Sequence, residues 1–525
     1  MVVITDLFII GGGINGCGIA RDAAGRGLSV TLAERGDLAQ ATSGTSTKLF
    51  HGGLRYLEFL EFRLVREALQ ERETLLRAMP HIARPMRFVL PLDPAMRFES
   101  SSPVSRMLAR LLPWERGRRP SALIRAGLFI YDNLGGRQLL PGTTVLDLHR
   151  TPEGHPLHER LKRAYEYSDV QVDDARLVVL NARDAALHGA KILTRNGVIS
   201  AQRGNGLWVI TLKDGRTCRA RVLINAGGPW VAEIAHQLAH IPTRESVRLV
   251  RGSHIVTPRL YDHDKAYFFQ GPDGRIIFAT PFHRDFTLIG TTDIDHHGPP
   301  EKASCTAEEQ DYLCAFASRY FRKPVTRDQI IWSFAGVRSL YDDGATSATA
   351  TTRDYVLSVD RQGPPCLSIF GGKITTYRRL AEHALKKLSH DLPDHRGPWT
   401  AGAPLPGGDF PVDGLPALIR ALCSKFGLDE PHAERLALAY GTDALEIAAQ
   451  PQGQDFGATL TEAELRWMIV HDFARTADDV LWRRSKLGLR MKPAQTDAVA
   501  EWMRVAVDSR ALGQPQFGRK ERGQA

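Results

Sequence analysis

The 525-residue chain has no run of about 18 apolar residues, so no segment reads as a membrane-crossing helix. Its N-terminus lacks a basic stretch ahead of an apolar core. Asp6 interrupts the first apolar run and a glycine turn follows, which predicts a strand rather than a secretion signal. Cysteine is scarce: Cys17, Cys218, Cys305, Cys314, Cys366 and Cys423 form no CxxC pair and no cluster with metal-ligand spacing. That excludes a disulfide framework and a zinc-type site, and fits reduced thiols in a cytoplasmic setting, with no metal expected. Helix-turn-helix, RNP and zinc-finger patterns are also missing, so the net charge of +9 is not assigned to nucleic acid. It points instead to an anionic small substrate or an anionic membrane face. No internal repeat is present. Composition is that of a globular chain, too long for one core, so two or three domains are expected.

What is present begins at once. "DLFIIGGGINGCGIARDAAGRG" is a short apolar run, a glycine turn and a helix, and "LSVTLAE" follows as a second strand. Gly11 allows the tight turn, Gly13 lets a pyrophosphate approach the backbone, and Gly16 lets the helix lie against the strand. Glu34 stands eighteen residues after Gly16, where an acid accepts hydrogen bonds from ribose hydroxyls. The pattern predicts a dinucleotide site at a helix N-terminus. A nicotinamide enzyme usually continues with more βαβ units. Here the chain runs into "ATSGTSTKLFHGGLRYL", a polar loop whose Thr42, Ser43, Ser46 and Thr47 offer a second set of cofactor contacts, then into a helix over "LEFLEFRLVREALQERETLLRAM".

Further along, "VDDARLVVLNARDAALHGAKILTR" predicts a helix starting at Asp173-Asp174, then a strand. "VISAQRGNGLWVITLKDGRTCRARVLINAGGPW" predicts a three-stranded meander with turns at Gly204-Asn205-Gly206 and Asp214-Gly215, ending in a glycine turn. "AYFFQGPDGRIIFATPFHRDFTLIGTTD" predicts antiparallel strands turning at Pro272-Asp273-Gly274 and at Arg284-Asp285. "LSIFGGKITTYRRLAEHALKKL" is strand, glycine turn and helix. "DLPDHRGPWTAGAPLPGGD" reads as a linker. "PHAERLALAYG", "TEAELRWMIVHDFARTADDVLWRRS" and "QTDAVAEWMRVAVDS" are helical, and "GRKERGQA" is expected to be a disordered tail.

Taken together, "GGGINGCGIARDAAGRGLSVTLAE", "TSTKLFHGGLRYL", "RGSHIV", "IGTTD", "AGVRSL", "TTRDY", "FGGKITTYRRLAEHAL" and "DVLWRRSKLGL" resemble the FAD-dependent glycerol-3-phosphate dehydrogenases, over about Asp6 to Leu489. The resemblance implies an α/β fold: a Rossmann-like, D-amino-acid-oxidase-like FAD domain, an antiparallel-sheet substrate domain and a C-terminal helical cap. On that reading residues 1–85, 165–250 and 331–390 form the FAD-binding domain, and 86–164 and 251–330 a substrate- and membrane-facing domain. Residues 391–409 are a linker, 410–515 the helical domain and 516–525 the tail. The resemblance further implies non-covalent FAD, oxidation of sn-glycerol 3-phosphate to dihydroxyacetone phosphate, and delivery of electrons to membrane ubiquinone or menaquinone. It adds Val172, Gly227, Gly371, Gly372 and Lys373 to the cofactor contacts, and sets Arg55, Tyr56, Arg338 and Lys373 around the substrate. Where the family commonly has proline after the arginine, this chain has Ser339, which frees a φ that proline would fix. A homodimer is left open.

The chemistry asks for cations around a phosphate, for which arginine offers a planar fork of donors, and for a base near the alcohol. His51 in "F-His-GG" and His254 in "GS-His-IV" are both base candidates, and the sequence does not choose between them. Lys373 at its glycine turn also suits the place beside a reduced flavin's negative charge. The alternatives keep the fold: direct use of oxygen as acceptor, or an amino acid or 2-hydroxy acid as substrate. Finally, residues 96–126 carry seven arginines against two glutamates. Val104, Met107, Leu108, Leu111 and Leu112 recur at helical spacing, with Arg106 and Arg110 off that face, Trp114 beyond it and Arg118 and Arg119 following. This predicts an interfacial helix and peripheral association with the cytoplasmic membrane face.

Overall fold

The computed structural model describes residues 4–94, 96–97, 102–111, 120–243, 245–272, 274–342 and 354–508, the side chains of 108–111 and 508 excepted. Its first unit is built on an eight-stranded sheet. Ile4–Ile10 lies at the centre, with Thr217–Asn225 on one side and Val30–Ala33 on the other, all parallel. Cys366–Phe370 continues the sheet parallel to Thr217–Asn225, and Lys191–Leu193 extends the far edge. These strands read as unbroken apolar runs because both faces are covered. Helices Ile14–Gly25, Asp174–Leu187 and Tyr377–Lys387 cover one face and form a single core with it, including Leu7, Ile9, Leu32, Ile224, Val178 and Leu380. The meander Val198–Gly204, Leu207–Leu212 and Thr217–Asn225 covers the other face around buried Trp208. It turns where the glycines were read: Asn205 and Gly206 both have positive φ. Asp173 caps the helix Asp174–Leu187, its carboxylate accepting from the Arg176 N–H.

The second unit is a ten-stranded, mostly antiparallel sheet. Val247–Pro258 pairs along its length with Trp332–Tyr341, and Ala83–Pro91 pairs with Arg163–Val172. The domain limits inferred from the sequence therefore shift. Residues 332–341, assigned to the FAD unit, belong to this second sheet, as do 83–85 and 165–172. Side chains alternate across it. Ile255, Phe269, Ile277 and Ala279 pack under the helix Ala307–Ser318, while His254, Phe268 and Phe278 face the other way, into the cavity described below.

The third unit packs helices Leu415–Phe426, Glu430–Tyr440, Asp443–Ala448, Glu462–His471 and Pro493–Asp508 around Leu436, Leu465, Met468 and Val480. The single helix expected over 461–485 is broken. It stops at His471, Phe473 adopts φ 60°, and a wide turn resumes at Asp479–Arg484. The break serves electrostatics. Buried Asp37 accepts from Arg483 Nε at 2.6 Å and Arg484 Nη2 at 2.9 Å, and Arg195 pairs with Asp479 at 2.7 Å. Arg176 and Asp472 form another buried pair across the same boundary.

The segment read as a linker is a packed strap. Thr400 and Leu405 are buried, the Trp399 indole N–H donates to the Asp22 carbonyl at 3.1 Å, and Arg21 donates to the Ala403 carbonyl at 3.1 Å. The helix expected from Leu57 begins at Phe62, after a tighter turn Leu54–Phe59 and a left-handed Leu60. The helix expected over 104–112 is present as Pro103–Leu111, and a further helix, Ser121–Leu134, follows within and beyond the segment 96–126. Leu112, Trp114, Arg118, Arg119, the side chains of Leu108, Arg110 and Leu111, Asp273, and the tail 516–525 lie outside the described residues.

Candidate active site: a glycine cradle joined to a cationic pocket

Three parallel strands end at the same edge in glycine: Ile10 before Gly11, Asn225 before Gly227, and Phe370 before Gly371-Gly372. Gly11 (φ +112°) has its place for a Cβ only 2.5 Å from the Ala226 carbonyl oxygen, so no other residue fits this turn. Gly16 is equally constrained, since its Cβ would lie 2.0 Å from the Gly11 oxygen. It seats the helix and does not line the cavity. Gly371 and Gly372 both take positive φ. The bare backbone at Gly11, Gly13, Gly227, Gly371 and Gly372 leaves a cavity of about 1290 Å³, above the roughly 300–1000 Å³ of an ordinary small-ligand pocket. A dinucleotide and a small substrate fit a space of that size, and the helix N-terminus at Ile14 suits a pyrophosphate.

Most expected cofactor contacts line this cavity: Gly11, Gly13, Glu34, Thr42, Ser43, Ser46, Thr47, Gly227, Gly371, Gly372 and Lys373. Several are also fixed to the scaffold. Glu34 accepts from the Gly12 and Gly36 N–H groups at 2.7 and 2.8 Å, which aims the carboxylate and leaves lone pairs for ribose hydroxyls. Ser43 accepts from the Ile14 N–H at 3.0 Å, and Thr42 donates to the Val337 carbonyl at 2.6 Å. Ser46 donates to Asp174 at 2.8 Å. Val172 departs from the expectation. It is buried in the core beneath the site and does not line the cavity, and its N–H donates to the Lys48 carbonyl.

At the other end the cavity is lined by His51, Arg55, Tyr56, His254, Arg338 and Lys373, brought together from four separate stretches of sequence. Lys373 sits 4.1 Å above the Tyr56 ring, a cation–π contact that holds the ammonium toward the cavity. Arg338 is not waiting for an anion alone. It donates to Asp293 at 3.0 Å, to the Thr292 carbonyl at 3.0 Å and to Thr291 Oγ1 at 3.3 Å. Asp293 and Thr291 line the cavity too, as do Arg275, Phe268, Phe278 and Asn15, none of which the sequence reading singled out. Arg275 had a signal that was passed over: it ends the Pro272–Gly274 turn and opens a strand, so a cation there is delivered to the mouth of a sheet.

The two histidines differ. Burial, with the charges of Lys373 and Arg72, pushes His51 down to about 4, and its ring borders the cavity. His254 is pushed well below its ordinary value by burial and by Lys48 and Arg338. It is 2% exposed, stacks on Phe334 at 4.9 Å, and shares a hydrogen bond of 3.2 Å with Thr47 Oγ1. Both are neutral at pH 7 and both border the cavity, His254 being the more tightly packed of the two.

The cradle yields a test. At Gly13 a Cβ would already stand 3.1 Å from Ser43 Oγ, so the branches of valine must project into the space left for phosphate. Gly13→Val protein should keep its circular dichroism spectrum yet purify without flavin absorbance near 450 nm; roughly stoichiometric flavin in the variant would remove the cradle from the cofactor site.

A family model described as FAD dependent oxidoreductase matches residues 6–378, and one described as the C-terminal domain of alpha-glycerophosphate oxidase matches residues 399–511. The chain is 46% identical over 519 residues to a D-erythritol 1-phosphate dehydrogenase of Brucella abortus, covering 95% of this chain and 97% of that protein. It is 45% identical over 512 residues to a glycerol-3-phosphate dehydrogenase of Pseudomonas aeruginosa, covering 95% of each. The solved glycerol-3-phosphate dehydrogenase of Bacillus halodurans, complexed with FAD, superimposes with a TM-score of 0.72 at 24% identity, over 99% of this chain and 96% of that one, a likeness of fold. The flavin cradle, the FAD oxidoreductase model and the whole-length identities converge: this chain is an FAD-dependent oxidoreductase and belongs to the FAD-dependent glycerol-3-phosphate dehydrogenase family.

Proposed function

We propose that the chain oxidises sn-glycerol 3-phosphate to dihydroxyacetone phosphate and passes the electrons to a membrane quinone. The observation that carries this reading is the joining, in one cavity, of the glycine cradle with a pocket bearing Arg55, Arg275, Arg338 and Lys373 and two neutral histidines. Bound FAD supplies the two-electron acceptor for the hydride from C2. The cations suit a phosphate dianion, and in a partly desolvated pocket each charge-assisted contact is strong. Asp293 beside Arg338 suits a substrate hydroxyl, to which it offers an acceptor while Arg338 offers donors. His51 takes the hydroxyl proton in this scheme, since its nitrogen is unprotonated at neutral pH.

The experiment is anaerobic mixing of the yellow enzyme with sn-glycerol 3-phosphate, with D-erythritol 1-phosphate and with a panel of amino and 2-hydroxy acids, followed by loss of flavin absorbance. Bleaching by glycerol 3-phosphate, faster than by the four-carbon polyol phosphate, supports the reading. Faster bleaching by erythritol 1-phosphate would shift the substrate to that of the Brucella relative, and bleaching by the acids alone would overturn it. Oxygen as acceptor is separated by comparing peroxide yield with quinone reduction. Arg55→Ala should keep its flavin and lose about 2–4 kcal/mol in kcat/KM. Arg338→Ala should lose at least as much, because it removes a cation while the Asp293 carboxylate stays beside an anionic substrate.

The pH dependence has a definite sign. A base unprotonated above about 4 keeps the rate of flavin reduction level from pH 8 down through 6.5, and slows it only as the pH falls through about 4. Rapid-mixing reduction after a pH jump reads this; a limb near pH 6.5, where an ordinary imidazole titrates, would remove His51 as the base.

No helix among the described residues is long and apolar enough to cross a membrane. Peripheral docking is supported by a surface that includes Met107 and Arg106 of the expected helix and extends beyond it. The turn Leu54–Phe59, which carries Arg55, touches both Pro103–Leu111 and Ser121–Leu134. On and beside these segments Leu60, Phe62, Met107, Phe129 and Ile130 are exposed, Phe129 to 69%, among exposed Arg63, Arg66, Arg106 and Arg125. Apolar side chains ringed by arginine suit an anionic lipid face, each arginine contributing about 1 kcal/mol near it. Co-sedimentation should recover the protein with anionic vesicles at low salt, less at high salt, and less again for a Phe129→Ser, Ile130→Ser double variant. Equal recovery across anionic and neutral vesicles, at both salt levels and in the variant, would overturn the docking surface.

A further inference from the structure

A buried ionic cluster lies directly behind the loop that carries His51, Arg55 and Tyr56. The strand before the loop is only two residues long, Leu49–Phe50, paired with Gln171 and Val170. The chain then leaves the sheet, and Gly53 turns it in a left-handed conformation, φ +75°. The Gly52 N–H has no strand to pair with. It donates instead to the hydroxyl of Tyr131, at 2.7 Å. Tyr131 Oη in turn donates to Asp169, at 2.8 and 2.9 Å to the two carboxylate oxygens, and Asp169 is paired with Arg72. Arg72 also donates to the Ser168 carbonyl at 2.8 Å. Tyr131, Asp169 and Arg72 are 1, 3 and 3% exposed.

A buried amide must find an acceptor, and here the acceptor is itself oriented by a charge pair that cannot move without leaving an ion unpaired. The fit is close in space as well. A Cβ at Gly52 would stand 2.5 Å from Leu69 Cδ2 and 2.8 Å from the Tyr131 ring, so the loop is pressed against the two helices behind it. None of the three cluster residues lines the cavity. A buried ion pair adds little stability over apolar packing of the same volume, so the cluster is explained chiefly by what it orders, the Gly52 amide.

We propose that Tyr131, held by Asp169 and Arg72, is a positioning residue for the substrate loop: its hydroxyl fixes the Gly52 amide and so sets where His51, Arg55 and Tyr56 enter the cavity. The inference rests on the substrate reading above for its kinetic consequence, and on the loop geometry alone for its structural one.

The test uses flavin-loaded full-length enzyme and a chemically matched control. In the C-terminal unit Tyr440 Oη donates to Glu464 at 2.7 Å and Arg435 closes on Glu464 at 2.6 Å, a similarly buried tyrosine–carboxylate–arginine set away from the cavity. Two readouts are taken on Tyr131→Phe and Tyr440→Phe: amide hydrogen exchange over residues 49–57, and the steady-state constants with sn-glycerol 3-phosphate. Tyr131→Phe should raise exchange in that segment about tenfold, and raise KM by about tenfold with kcat within about threefold, the loss expected for one buried hydrogen bond; Tyr440→Phe should move neither. Unchanged exchange and KM in Tyr131→Phe, or equal changes in Tyr440→Phe, would overturn the assignment. If Tyr131→Phe does not fold, Asp169→Asn replaces it, since it leaves the hydroxyl an acceptor but removes the charge that orients it, and the same outcomes decide. Wild-type enzyme that ignores glycerol 3-phosphate would sink the substrate reading, while the exchange comparison would still judge the positioning role.

Discussion

The parallel pairing of Ile4–Ile10 with Thr217–Asn225 is the constraint on which the site depends. It carries the Ile10 carbonyl to the Ala226 N–H at 2.9 Å, so two chain segments separated by more than two hundred residues turn away from the sheet at the same level. The turns that follow can only be glycine, because at Gly11 the neighbouring carbonyl occupies the place of a side chain. Cys366–Phe370 joins through Asn225 and Ser368 and adds a third glycine turn at the same edge. Ligands bind in α/β sheets where such strand ends open a crevice, and the crevice here is bounded by the second sheet.

Charge is handled in two ways across the molecule. Where two units meet, ions are buried in pairs: Arg176 with Asp472, and Arg484 with Asp37. Such pairs add little net stability over apolar packing, but they oppose any arrangement that leaves one partner alone. The third unit is thereby keyed to the first, and Asp37, which lines the cavity, is held by two arginines from the far end of the chain. At one end of the cavity Arg55, Arg275, Arg338 and Lys373 gather, with Asp293 paired to Arg338. Burial first, and nearby cations second, keep His51 and His254 neutral.

Local chemistry made much of this legible from sequence. The glycine spacing, the acid at Glu34, the Gly204–Gly206 hairpin and the Asp173 cap each act within a few residues, so their sequence signals have a direct structural counterpart. The candidate ligands Arg55, Tyr56, Arg338 and Lys373 were found through resemblance rather than spacing, and they do meet in one cavity. Tertiary structure decided the rest. Val172 went to the core because its strand pairs with Ala83–Pro91. The helix expected across 461–485 ended at His471, where Asp472 turns back to meet Arg176. Asp293 and Tyr131 carried no readable mark, since what a side chain meets depends on which strands and helices stand opposite it. The sequence by itself determined the dinucleotide cradle and the parallel core, because these follow from periodicity and from backbone needs that act over a few residues, while the flavin and the class of chemistry came through resemblance. Which ions pair, which face of a helix is left to solvent and what holds the substrate loop in place were settled only when distant segments packed. Burial and Coulomb energy depend on neighbours that sequence order does not name.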